Sequence, residues 1–372
     1  MEDKLRMFGG RVNDLIGGKS LTRAEAREMF REVLLNEQPD LQQGAFLAAI
    51  TAKGATPQEI AGSWEAIYDI DTVKVTPNVS SPLVDNCGTG MDTIKTFNIS
   101  TAASVIAAAD GIVMAKHGAR AITSKCGTVD IAEALGVDVE CDIGVVKRSI
   151  ETAGIGIFNG MSPKVHPTAL GRILSQIRFG TILNIAGSLA NPALPKYGIR
   201  GVYSKDMIAP TVQTMQEIGY VRAFVFHGTA VQGTKGMDEM STLGPTVVTE
   251  LDRNGRVSSY SVDPQELGIK MAREEDLLTS GDKEREAVRL LRLLRGEEDG
   301  PRQDIVCLNT APILCMMGRA SNLQEGVERA RSILQSGKAI RKMQDWARAQ
   351  NSDPSLGEGR FNTLMGRADS PA

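Results

Sequence analysis

The residues whose types and order could do chemistry are concentrated in Asp85-Asn86-Cys87-Gly88-Thr89-Gly90-Met91-Asp92 and, just beyond, Thr96-Phe97-Asn98-Ile99-Ser100-Thr101. The chemistry they suit is anion binding. Glycines at 88 and 90 let the backbone approach a ligand and turn its N–H groups toward a phosphate. The small-residue run 101–109 predicts a helix whose positive dipole end faces the same place. Alone, a Gly-x-Gly after a strand serves equally well as a tight turn. Asn98, Ser100 and Thr101 add weight, because all three suit the first turn of a helix while a simple N-cap needs only one of them. A second loop, Lys116-His117-Gly118-Ala119-Arg120, follows the apolar run 111–115. It leads through Thr123-Ser124-Lys125-Cys126-Gly127-Thr128 to a helix over 131–135, ended by Gly136. Two such loops, each after a predicted strand, point to one crevice of an α/β sheet.

The elements that must position these loops are legible as patterns. Residues 1–78 read as a small helical domain. Thr22-x-x-Glu25 and Thr56-Pro57-x-Glu59 are capping boxes, and Ala26, Met29, Phe30, Val33 and Leu34 recur at helical spacing. From 79 to 350 apolar runs alternate with helical patterns, as in an α/β domain with a mostly parallel sheet. The tail 351–372, with Pro354, Gly357, Gly359 and Pro371, reads as disordered.

Composition bounds the function classes. The chain has 372 residues, 42% of them hydrophobic, and a net charge of −3, which gives no electrostatic reason to expect nucleic acid or an anionic membrane as partner. No apolar run is long enough to span a bilayer, and Glu2, Asp3, Lys4 and Arg6 are unlike a signal peptide. The five cysteines are widely spaced, without Cys-x-x-Cys, and fit reduced thiols in a cytoplasmic protein.

Taken together, Gly88-Thr89-Gly90-x-Asp92, Asn98-Ile99-Ser100-Thr101, Lys116-His117-Gly118, Asn191-Pro192-Ala193, Val225-Phe226-His227-Gly228 and Gly236-Met237-Asp238-Glu239-Met240-Ser241 occur in one order over nearly the whole chain. The pattern resembles the anthranilate phosphoribosyltransferase family. That resemblance implies a helical domain, joined in space by a segment near 165–180, beside a larger α/β domain with the active site in the cleft between them. It also implies transfer of a phosphoribosyl group from phosphoribosyl pyrophosphate (PRPP), release of pyrophosphate, magnesium as cofactor, and a homodimer. Gly88, Gly90, Asp92, Thr96, Asn98, Ser100, Thr101, Lys116 and Thr128 match the PRPP site, and Ser100, Asp238 and Glu239 match the metal ligands. No side chain is assigned as general base.

The acceptor side departs from the family. Ala119 stands where the family has Asn, Ser188 where it has a pocket proline, and Met91 where it has a third glycine. Counting from His166 to the position of the carboxylate-binding arginine reaches Gln176, although this stretch is shorter than usual and Arg172 or Arg178 could supply the cation. His117 and His166 fall near the expected acceptor pocket. These departures lead us to expect an aromatic amine or nitrogen heterocycle other than anthranilate. The alternatives are a genuine anthranilate enzyme of tryptophan biosynthesis, a non-catalytic phosphate-binding protein on the same fold and, less favoured, a nucleoside phosphorylase.

Overall fold

The computed structural model describes residues 2–90, 93–121, 126–230 and 235–369. Four helices come first: α1 (Glu2–Ile16), α2 (Arg23–Leu34), α3 (Asp40–Lys53) and α4 (Pro57–Ile70). Both capping boxes form, with Thr22 and Thr56 each accepting the N–H of the glutamate three residues on. Glu59 does more than cap. Its buried carboxylate also accepts the Leu21 N–H at 2.8 Å and pairs with Lys53 Nζ at 2.9 Å, so one side chain ties α4 to the approach to α2 and the end of α3. Between these anchors the apolar faces close, with Phe30 edge-on to Phe46 at 4.9 Å.

The α/β part follows as β1 (Leu83–Gly88), α5 (Ile99–Ala109), β2 (Val113–Gly118), α6 (Thr128–Ala134), α7 (Ile143–Ala153), β3 (Ile155–Asn159), α8 (Leu170–Ile177), α9 (Ile182–Leu189), β4 (Tyr197–Gly201), α10 (Ile208–Glu217) and β5 (Arg222–Thr229). The short β6 (Gly236–Met237) and the hairpin β7 (Thr246–Leu251) and β8 (Val257–Val262) complete the sheet. Its order is β3-β2-β1-β4-β5-β7-β8, with β6 on β5. β1 to β5 pair in parallel and β6 to β8 antiparallel, so the sheet is mostly parallel, as its apolar runs require. Helices α11 (Glu274–Leu277), α12 (Lys283–Leu294), α13 (Pro301–Met316), α14 (Leu323–Gln335), α15 (Lys338–Ala349) and α16 (Pro354–Ala368) end the described chain.

The chain order reverses at β1, with β2 and β3 on one side and β4 and β5 on the other, and there the ladder opens. β1 and β2 pair only through Leu83↔Val113 and Val84↔Met114. Beyond that point side chains replace the missing backbone partners, which cannot be left bare in a buried sheet. Asp85 Oδ1 accepts the His117 N–H at 3.1 Å, Lys116 Nζ donates to the Asn86 carbonyl, and Asn191 Nδ2 donates to the Ala115 carbonyl at 2.8 Å. The cleft begins where these side chains stand in for the ladder.

Three apolar clusters meet at the sheet, the smallest holding Ala115 and Phe158 against Val146 and Ile150 of α7. On β5, Phe224 and Phe226 join the large cluster formed with α5, α13 and α15, while Ala223 and Val225 face the cluster that contains Phe30, Phe46 and Ile67 of the helical bundle. Helix α8 joins that second cluster through Leu170 and Ile173. Its start is held by Asp71, whose carboxylate accepts the N–H groups of Thr168, Ala169 at 3.0 Å and Leu170 at 2.6 Å.

One expectation is corrected. The tail read as disordered forms α16, capped by Asp353, with Phe361, Leu364 and Ala368 buried. Gly357 is there for contact, since a Cβ would lie 2.1 Å from the Ala347 carbonyl oxygen of α15.

Because Asp71 satisfies three N–H groups from another segment, Asp71→Ala should lower unfolding free energy by roughly 2–4 kcal/mol. Urea denaturation followed by circular dichroism reads this, and an unchanged midpoint would contradict the capping role.

Candidate active site

A cleft of about 250 Å³ lies at the C-terminal ends of β1 and β2. Gly88, Gly90, Thr96, Asn98, Ser100, Lys116 and Thr128 line it, as do Asp238 and Glu239 from the turn after β6. This is the crevice expected where strand order reverses. Asp92 and Met91 lie outside the described residues. Thr101 is buried behind the wall, its hydroxyl 2.7 Å from that of Thr128. Asn98 does not cap α5 with its side chain; Nδ2 reaches across to the Cys126 carbonyl at 3.2 Å. These two contacts tie the loop after β1 to the loop after β2.

The anion cradle and the acidic pair are interlocked. Asp238 Oδ2 accepts the Gly90 N–H at 2.7 Å, and Glu239 Oε1 accepts the Ser100 N–H at 3.2 Å in the first turn of α5. Gly88 and Gly201 have no side chains because a Cβ at either would collide with Asp238, at 2.1 Å from Oδ2 and 1.6 Å from the carbonyl oxygen. Burial raises the Asp238 pKa, the signature of a carboxylate short of positive charge. Two carboxylates beside backbone N–H groups at a helix start are hard oxygen donors of the kind that magnesium takes together with phosphate oxygens.

Lys116 is buried beneath the loop, its ammonium donating to the Asn86 carbonyl and, at 3.2 Å, to the Ser104 hydroxyl, and burial lowers its pKa. Cys87 and Cys126 also line the cleft, but burial pushes both thiols up to about 11, so neither is a nucleophile at neutral pH.

The other end of the cleft is more apolar, formed by Leu170, Leu174, Ile177, Leu183 and Phe179, with Ala119 and Ser188 opposite. Arg178 lines this end of the cleft. It closes α8 in a left-handed conformation, φ 49° and ψ 23°, and Nε donates to the Ser175 carbonyl at 3.2 Å. Among the described residues no carboxylate pairs with it. Gln176 is exposed and outside the cleft, and Arg172 turns toward the Val33 carbonyl and Gln43 in the helical bundle. Fixed-spacing counting missed this, because the short α8 ends in a left-handed residue that swings Arg178 and Phe179 to the cleft. Lys95 and Asn184 line the cleft as well and belong to no motif; a cation between the glycine loop and the Asn-x-Ser-Thr segment was the available signal for Lys95.

His117 lines the cleft and His166 lies behind it, with their Nε2 atoms 3.2 Å apart. His117 Nδ1 sits 3.3 Å from the Ser188 carbonyl and His166 Nδ1 2.6 Å from the Asp71 carbonyl. Two neutral rings carry two N–H protons for three close contacts. A third proton would complete the set but would charge a buried site. Burial, then the neighbouring His166, pushes His117 down to about 3, and burial lowers His166 too. Both rings are therefore neutral at pH 7. His227 lies apart, bonded to the Val202 carbonyl at 2.8 Å.

The description "Glycosyl transferase family, a/b domain" matches residues 80–340, and "Glycosyl transferase family, helical bundle domain" matches residues 12–69. An anthranilate phosphoribosyltransferase of Acetivibrio thermocellus is 37% identical over 348 residues, covering 93% of this chain and 98% of that protein. The crystal structure of anthranilate phosphoribosyltransferase from Thermus thermophilus superimposes with a TM-score of 0.81 at 33% identity, over 91% of this chain and 98% of that one. The enzyme from Saccharomyces cerevisiae, in complex with PRPP and Mg, shares the fold, with a TM-score of 0.80 at 23% identity over 93% and 98% of the two chains.

The neutral histidine pair predicts a stability profile. Folded pKa values below the unfolded 6.5 mean that the folded state binds fewer protons below that pH. Stability is then full above pH 6.5 and falls as pH drops below it, for His117 down to about 3, by at most about 1.4 kcal/mol per unit for each ring that stays neutral. Urea unfolding between pH 7 and 5 should show His117→Gln with a shallower decline than the parent. Parallel curves would refute the buried neutral pair.

Proposed function

The chain belongs to the anthranilate phosphoribosyltransferase family of glycosyltransferases and is a phosphoribosyltransferase; from that premise we propose that its acceptor is anthranilate itself, with PRPP as donor and magnesium as cofactor. The observation that carries this reading is the cleft's polarity. Phosphate-binding N–H groups and two carboxylates stand at one end, and an apolar slot with Arg178, which no described carboxylate neutralises, stands at the other. An aromatic ring fits the slot and a carboxylate fits the guanidinium.

This reverses the order of the two acceptor readings. The case against anthranilate rests on Ala119, Ser188 and a missing arginine; of these the last is answered, since Gln176 stands outside the cleft whereas Arg178 lines it. Ala119 and Ser188 leave a wider wall beside the ring, which favours tolerance of substituted anthranilates.

In the reaction the acceptor's amine nitrogen forms a bond to C1 of the ribose while the bond from C1 to the pyrophosphate oxygen breaks, and the amine gives up a proton. Magnesium, held by Asp238, Glu239 and Ser100, would supply charge neutralisation for the leaving pyrophosphate. The chain's own part is positional. The N–H groups of Gly90 and of the α5 first turn hold the phosphates, Thr128 and Asn98 keep the two loops together, and Lys116 adds a buried positive charge. His117 fixes the Ser188 carbonyl at the slot's edge, and its low pKa argues against a role as general base. A homodimer belongs to the same proposal, through the face of α1 and α3 on which Met7 is 74% and Leu41 89% exposed. So does a cytoplasmic location, with all five cysteines unpaired.

Initial rates of pyrophosphate release with PRPP, magnesium and a panel of aromatic amines and heterocycles test the acceptor. Anthranilate should turn over, and Arg178→Ala should raise its KM roughly 10- to 100-fold, the value of one charge-assisted contact, with little change in the KM for PRPP. Turnover of a neutral heterocycle with no use of anthranilate would overturn the acceptor assignment.

A further inference from the structure

We propose that Asp238 and Glu239 act in the ligand-free protein as built-in anions, occupying N–H groups of the donor site and so making donor binding depend on a divalent cation. The proposal rests on the phosphate-binding reading of the cleft. The Gly90 N–H, in a loop residue with φ 68°, and the Ser100 N–H, in the first turn of α5, are the backbone donors that a phosphate at this helix end would take. Each already donates to a carboxylate, at 2.7 Å to Asp238 and at 3.2 Å to Glu239.

The arrangement is a wedge rather than a casual contact. Asp238 fills the volume left by Gly88 and Gly201, its carbonyl packs where a Gly201 Cβ would be, and the Glu239 carbonyl takes the same place at Gly228, 2.3 Å from a Cβ there. Anchored on both sides, the acidic turn holds its carboxylates against the cradle. An incoming phosphate would have to displace them and then sit beside two like charges. A cation changes the sign of that encounter, because it attracts the carboxylates and the phosphate oxygens to one point and frees both N–H groups. The acidic pair thereby acts as competitor without metal and as ligand with it. Metal-free PRPP would be refused before any chemistry, which protects the cradle from bare phosphates and nucleotides.

Calorimetric titration with inorganic pyrophosphate, with magnesium and with chelator, tests this on the full chain. The parent should bind at least about 10-fold more tightly with magnesium. Asp238→Ala with Glu239→Ala should bind metal-free pyrophosphate at least about 10-fold more tightly than the parent does, and should lose the magnesium effect. Amide hydrogen exchange gives a second readout, since Gly90 and Ser100 should be protected in the ligand-free parent and exchange faster in the double variant. Should that variant fail to fold, Asp238→Asn with Glu239→Gln keeps the shape and should give a smaller gain in the same direction. Metal-free affinity that does not rise, or rises with no change in exchange at Gly90 and Ser100, overturns the displacement idea and leaves only charge. A parent that binds no pyrophosphate even with magnesium would instead defeat the donor-site reading itself.

Discussion

The opening of the β1–β2 ladder above Val84 and Met114 is the constraint on which the site depends. A parallel sheet that parts its strands leaves backbone groups without partners, and in a buried sheet each would cost about 1–3 kcal/mol if bare. The fold resolves this with side chains. Asp85 does the most, accepting the His117 N–H with one oxygen and the Arg200 guanidinium with the other at 2.7 Å, both groups fully buried. Arg200 in turn reaches the Ser188 carbonyl at 3.3 Å, the same atom that faces His117. The charged pair is thus a brace across β2, β1 and β4. Such a pair adds little net stability after desolvation, and its value lies in fixing where the strands separate.

From that brace outward the two halves of the cleft are positioned by different means. The glycine-loop half relies on backbone: Gly88 leaves room for Asp238 and Gly118 for Thr128, whose Cγ2 would lie 2.1 Å from a Cβ there, while Gly90 takes a φ of 68°. The apolar half is lined by side chains on α8, just beyond it and on α9, and its geometry is inherited from the helical bundle through Asp71, Thr72 and His166. The histidine pair joins the halves, since His117 belongs to β2 and His166 to the segment that Asp71 caps.

How far the sequence revealed this follows the same division. The glycine loops, the Asn-Ile-Ser-Thr turn, the two capping boxes and the sheet class were legible, because each is a local pattern with one physical meaning. Arg178 was named but not placed, because its position depends on a left-handed residue at a helix end, and nothing in Ser175-Gln176-Ile177-Arg178 announces it. Helix α16 was misread for the opposite reason. Gly357 and Gly359 look like flexibility, whereas the spacing of Phe361, Leu364, Met365 and Ala368 follows a helix face, and Gly357 marks an approach to α15 that only glycine permits. The brace itself was invisible, since Asp85 and Arg200 are 115 residues apart and neither stands in an unusual local setting.

The alternation along β5 has a consequence for how the molecule comes apart. Successive residues of one central strand belong to opposite cores, and the core on one side is shared with the helical bundle. Peeling the bundle away would strip the part of the sheet at β5 and β7, exposing Ala223, Val225 and Leu251 together with α10. Because the bundle's core continues onto the sheet, heat should melt the two lobes in one endotherm rather than two. The cleft lined by α8 and α9 thus has one wall built on the same apolar cluster as the bundle, so loosening that cluster would disturb the cleft before it separated the lobes.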